Sequence, residues 1–281
     1  MNQIHKERRE RLLSAMAEKE LDVIMSWGNS WQCDYLRYVS DYSALEGDAI
    51  AIVMADGETH LIVEGEIEAA RARSKCPEAI VEASDDIIKS TKTLLNKFGN
   101  RRIATAPSTL LPYGLAKDNL EQAVEDGTAL LDSLLMTKSP AEIDAMRRCT
   151  ELADEGYQVF RDAAKVGVAE FELVAEIEGY FRAAGSPENF MIIGTGGQEV
   201  RGMSPAGERR VQQGDLVTTE LSPCVDGYFS QICRTLVIGE PNQVQIDSFQ
   251  VFIDAMNAGF SVLKAGVTAA EIAKAENDVF R

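Results

Sequence analysis

Apolar and polar positions along the 281-residue chain fall into two regimes. In the first half, short β-rich runs alternate with stretches whose apolar residues recur at helical spacing. That spacing predicts a helix over 12–21 and a strand over 21–27. Asp48 to Ala55 reads as an apolar strand, and Glu58 to Val63 as its hairpin partner. Asp56-Gly57 between two such runs favours a type I′ turn. A helix over 66–74, a strand over 79–83, a helix over 85–98 and a strand over 101–106 complete an α/β domain, 1–135.

The second half, 136–281, opens on a long helix. Ser139 with Glu142 forms a capping box and Pro140 fits the first helical position, so the helix runs from there to about Lys165. A second helix covers 170–184 and is closed by Gly185-Ser186-Pro187. The run Gly194-Thr195-Gly196-Gly197 reads as a loop shaping a pocket, since it lacks the lysine of a phosphate-binding loop. Thr218 to Thr235 reads as two strands turning at Asp226-Gly227. A helix over 244–264 follows. Thr268 with Glu271 opens a last one, whose buried stripe is Ile272, Ala275 and Val279. A lone hairpin is marginal without further strands. That helix also carries no glycine cap. The expectation is a domain incomplete on its C-terminal side.

The formal net charge of −17 argues against a nucleic-acid or anionic-membrane surface. The one basic cluster, Lys6 to Arg11, is interleaved with Glu7 and Glu10 and reads as a solvated helix face. No apolar run approaches membrane-spanning length, and nothing in the N-terminal residues reads as a signal peptide. The five cysteines are widely spaced with no Cys-x-x-Cys, which points to reduced thiols and a cytoplasmic setting. Trp27, Trp31 and Tyr35 read as packing residues.

The hairpin poses the chemical question. With Asp226 and Gly227 as turn residues, Val225 faces Tyr228, Glu220 faces Cys233 and Ser222 faces Gln231. Side chains alternate across a strand. Glu220, Ser222, Gln231 and Cys233 therefore share one face, with Glu220 and Gln231 on a reachable diagonal. Val217, Leu221, Ile232 and Leu236 take the other face, toward the core. The pattern alone leaves open whether the polar face lines a pocket or meets water.

The stretch GTGGQEVRGMSPAGERRVQQGDLVTTELSPCVDGYFSQICRTLVIG resembles the core of the creatinase and Xaa-Pro aminopeptidase family, with its pita-bread fold. Ser139-Pro140-Ala141-Glu142-Ile143, Gly214-Asp215, Asp226-Gly227-Tyr228, Arg234-Thr235 and the helix start at Lys264-Ala265-Gly266 carry the resemblance. The first half is similar to that family's smaller N-terminal domain. The resemblance implies an α/β (α+β) chain with a creatinase-like N-terminal domain followed by an incomplete pita-bread domain.

It also implies a site. The family's metallopeptidases place two aspartates on this hairpin as metal ligands, and here those positions hold Glu220 and Gln231. Glutamine is neutral and one end of its amide is a donor, so it is a poor bridging ligand. The family's remaining ligands lie downstream of this hairpin, and a divalent metal (Mn, Co or Zn) is expected only with them. The histidine that serves creatinase falls on Met203, and the chain's two histidines, His5 and His60, lie in the first half.

The expectation is hydrolysis of a C–N bond in a small amide-like, amidine, guanidino or short-peptide substrate, without a standard dimetal centre. Glu220 is the candidate base, since a carboxylate in a dry pocket can serve as one. Gln231, Cys233, Met203 and Arg201 are the substrate-binding candidates, Arg201 for a substrate carboxylate. Cys233 has no nearby histidine in sequence to make it a nucleophile. The resemblance further implies a homodimer. A catalytically silent binding or scaffold member and a metal-dependent Xaa-Pro aminopeptidase with a relaxed site are the alternatives.

Overall fold

A computed structural model describes residues 2–117, 124–197, 200 and 202–281. Two compact units divide at Arg147 and Arg148.

In the N-terminal unit the order is α1 (Gln3–Glu18), β1 (Val23–Asn29), α2 (Asp34–Ser40), β2 (Asp48–Met54), β3 (Thr59–Glu64), α3 (Gly65–Lys75), β4 (Ile80–Ser84), α4 (Ile87–Lys97), β5 (Ile103–Thr105), α5 (Tyr113–Lys117), β6 (Val124–Asp126) and α6 (Thr128–Met136). The strands form a mixed sheet ordered β4-β3-β2-β1-β5-β6. Both faces are covered, which explains the unbroken apolar runs of β1 and β2. Ile24, Ala49, Ala51 and Val53 pack with Leu12, Met16, Leu36 and Leu131. The alternate residues Val23, Met25, Ile50 and Ile52 pack with Ile87, Leu95 and Leu115.

Four local expectations are corrected. The β2–β3 hairpin is not closed by a type I′ turn, because Gly57 alone has positive φ there and Asp56 does not. Asp56 instead accepts a hydrogen bond from the Glu58 amide through its side chain, giving a longer connection. The first helix starts at Gln3, where Asn2 caps it by accepting from the His5 amide. Its basic cluster is not wholly a solvated face: Arg8 is buried and donates to the buried Glu142 carboxylate at 3.0 Å. Trp31 does not pack, being 93% exposed.

The second unit comprises the rest of α7 (Pro140–Ala163), α8 (Glu170–Ala183), β7 (Asn189–Gly196), β8 (Leu216–Val225), β9 (Tyr228–Phe229), β10 (Ile232–Val237), α9 (Gln243–Val262) and α10 (Ala269–Val279). The capping boxes at Ser139/Glu142 and Thr268/Glu271 both form. The sheet is ordered β10-β8-β7 with β9 paired to β8, so β7 is a strand where a glycine loop was expected. Glycines lower strand propensity, but at Gly194 one is needed. A Cβ there would lie 2.4 Å from the Gly202 carbonyl oxygen.

Val217, Leu221 and Ile193 pack on Leu152 and Phe160 of α7 and Leu173, Ile177 and Phe181 of α8. The two helices approach closely at Gly156, where a Cβ would meet the Phe181 ring. The expected buried stripe of the last helix is absent: α10 has no buried residue, and Val279 is exposed.

Candidate active site on the outer face of the hairpin sheet

The register is the one the turn dictates. Val225 pairs with Tyr228 around Asp226-Gly227, both at positive φ, and Cys233 pairs with Glu220. The count is the same on both sides of the gap at 230–231, so Gln231 stands opposite Ser222. Val217, Thr219 and Leu221 are buried against the helices. The outer face therefore carries Thr218, Glu220 and Ser222 from β8, and Cys233 and Thr235 from β10.

On that face the Gln231 side-chain amide donates to Glu220 Oε1. Thr235 and Thr218 join their hydroxyls at 2.9 Å. Glu220 is half-buried, while Gln231 and Cys233 are exposed. Ser222 is buried, and its hydroxyl has no hydrogen-bond partner among the described residues.

The unforeseen strand adds the other half of the face. Phe190, Ile192 and Gly194 pair with Ser222, Glu220 and Thr218. Beyond β7, Ile193 and Ser204 exchange backbone hydrogen bonds, each 2.9 Å, as an antiparallel bridge. That register sets Met203 opposite Gly194, and so on the face of Glu220. Four sequence candidates thus share one surface: Glu220, Gln231, Cys233 and Met203. Arg201 lies outside the described residues. Phe190 and Ile192 were missed, though the run Phe190-Met191-Ile192-Ile193 carried a strand signal.

The segment behind this face is strongly braced. Arg209 donates twice to Asp215, at 2.6 and 3.0 Å, and those bonds hold the Asp215 carboxyl below its usual range. Asp215 immediately precedes β8, so the pair fixes the start of the strand that carries Glu220.

Comparison with known proteins now adds a family. The model of the Creatinase/Prolidase N-terminal domain matches residues 8–147, and that of Metallopeptidase family M24 matches residues 144–281. The chain belongs to the creatinase and Xaa-Pro peptidase family. An Xaa-Pro dipeptidase of Pyrococcus furiosus is 27% identical over 281 residues, covering 98% of this chain and 77% of that protein. A creatinase of a Bacillus species is 24% identical, with 98% of this chain and 70% of that protein covered. The crystal structure of X-Pro aminopeptidase from Thermotoga maritima superimposes with a TM-score of 0.88 at 19% identity, covering 97% of this chain and 77% of that one. The architecture is thus the expected α/β one, with a creatinase-type N-terminal domain and a pita-bread domain. The family's reaction class is hydrolysis of C–N bonds.

A metallopeptidase family implies metal, and the donor set can be tested against it. Among the described residues, no three His, Cys, Asp or Glu side chains are grouped to hold a metal ion. On the hairpin, the donor end of the Gln231 amide is turned onto the Glu220 carboxylate. A cation needs acceptors at both positions, and an N–H group fills the space between them instead. Glu220 and Gln231 therefore do not fit a bridged metal pair.

Proposed function

We propose that this chain hydrolyses a C–N bond in a small peptide-like substrate on the face formed by β7, β8 and β10. Glu220 acts as general base, and no standard dimetal centre takes part. The observation that supports this most directly is the Gln231-to-Glu220 hydrogen bond. It orients the carboxylate and occupies one oxygen, leaving the other for an attacking water. Glu220 takes a proton from that water as its oxygen bonds to the substrate carbonyl carbon. The proton passes to the departing nitrogen as the C–N bond breaks, giving a carboxylate and an amine.

Met203, Ile192 and Phe190 offer an apolar flank to such a substrate, Cys233 lies directly across from Glu220, and Arg201 is the candidate for a terminal carboxylate. The named relatives make Xaa-Pro dipeptides the first substrates to try. Release of proline from Leu-Pro by chelator-treated protein supports the reading. Release that appears only on adding Mn, Co or Zn contradicts it.

A second reading, a binding member without turnover, draws on the exposure of Gln231 and Cys233. An open face gives a general base little of the dry surroundings that favour it. Saturable Leu-Pro binding with no proline release distinguishes this reading.

A further inference from the structure

Glu170 lies behind the sheet, away from the face just described, and its chemistry is unusually constrained. It occupies the first turn of α8 and is 8% exposed. One carboxylate oxygen accepts from the Thr195 hydroxyl of β7, and the other accepts from the Gly207 amide at 2.8 Å. The Thr195 oxygen also accepts from Arg209 Nη1 at 2.9 Å, so the hydroxyl links Glu170 to Arg209. Arg209 is in turn held by Asp215. Glu170 thus receives two donors, and only a carboxylate offers an acceptor to each.

The consequence lies in what this carboxylate joins. The segment after residue 201 is pinned to β7 at Ser204 and Ile193, then to the start of α8, where the Glu170 amide donates to the Arg209 carbonyl at 3.1 Å. Met203 sits between these ties and the Gly202 carbonyl, which lies over Gly194. We propose that Glu170 is a positioning residue that holds the Met203 segment against β7 and so fixes the apolar flank beside Glu220. The role rests on the proposed site, since it acts on Met203 and touches no reacting atom. Glu170→Leu removes both acceptors. Both ties are then lost, and the segment loosens from β7.

The test uses the full chain with 13C-methyl-labelled methionine, the Met203 line being assigned through Met203→Leu. In Glu170→Leu the Met203 line is expected to move toward that of free methionine. The Ser204 amide is expected to exchange about tenfold faster or more. The lines of Met25 and Met54, in the other unit, stay in place. If Leu-Pro is hydrolysed, its kcat/KM falls about tenfold, mainly through KM. Thr195→Val, which keeps the shape but removes the hydroxyl, gives the same pattern and serves if Glu170→Leu does not fold.

An unmoved Met203 line and unchanged Ser204 exchange overturn the proposal whatever the activity. Collapse of all the methionine lines in both variants marks a purely structural residue and overturns it too. Movement of Met203 in a protein that never hydrolyses Leu-Pro sinks the hydrolytic reading and leaves the positioning role standing.

Discussion

The Gln231 side-chain amide reaches across the diagonal between β10 and β8 and donates to the Glu220 carboxylate. An amide bonded in this way presents its N–H group where a bridging ligand must present a lone pair. The protein purified without added metal is therefore expected to carry well under two equivalents of Mn, Co or Zn per chain, by elemental analysis. Gln231→Asp, which restores an acceptor, is expected to raise Mn uptake in the same assay. Two equivalents in the wild type contradict the account.

Cysteine reactivity reports on the same face. Cys33, Cys76, Cys149 and Cys224 are buried, and Cys233 is exposed. Burial pushes the Cys76 thiol up to about 12 and raises Cys149 as well. Thiolate is the reactive form. Iodoacetamide at pH 8 should therefore add once per native chain, at Cys233, and at all five cysteines after unfolding. Peptide mass spectrometry decides. Rapid native labelling of Cys149 or Cys224 would show the hairpin to be looser than described.

The turn at Asp226-Gly227 was legible because one register follows once the two turn residues are named, and a one-residue slip would bury Glu220. Capping boxes were legible for a similar reason: Ser139 and Glu142 satisfy each other locally. The features not legible in the sequence depend on distant partners. β7 was hidden by Gly194, whose requirement comes from the Gly202 carbonyl eight residues on. Arg8 belongs to a basic cluster in sequence, and the Glu142 carboxylate that buries it lies 134 residues away. Asp56-Gly57 and Asp226-Gly227 are the same dipeptide and form different turns, because the Asp56 side chain takes the Glu58 amide for itself.

A pH dependence follows from Asp215. Its two bonds from Arg209 and one from the Gln212 amide favour the charged form, so its folded pKa lies below the unfolded value. That contribution is fully present above the unfolded value of about 3.9 and is lost as pH falls through the depressed folded one. Arg209 is about a third exposed, which discounts the pair toward the low end of the range, about 1 kcal/mol. Urea unfolding should show Asp215→Asn less stable than wild type by that amount at pH 7. The gap should close toward pH 3. A gap of the same size at both pH values contradicts the assignment.

A homodimer is the assembly implied by the resemblance to creatinase-type enzymes. Trp31, 93% exposed in the N-terminal unit, is a candidate contact. Light scattering at micromolar concentration should give twice the chain mass of 30.8 kDa, and Trp31→Ser should shift the balance toward monomer. Monomer alone in the wild type removes this expectation.

The central claim is that Glu220 moves the proton in C–N bond hydrolysis. The turnover of Glu220→Gln on Leu-Pro, measured beside wild type in chelator-treated samples with matched circular dichroism, tests it most directly. General-base loss predicts a fall in kcat of about 100-fold or more, and turnover equal to wild type in a well-folded variant would contradict the claim.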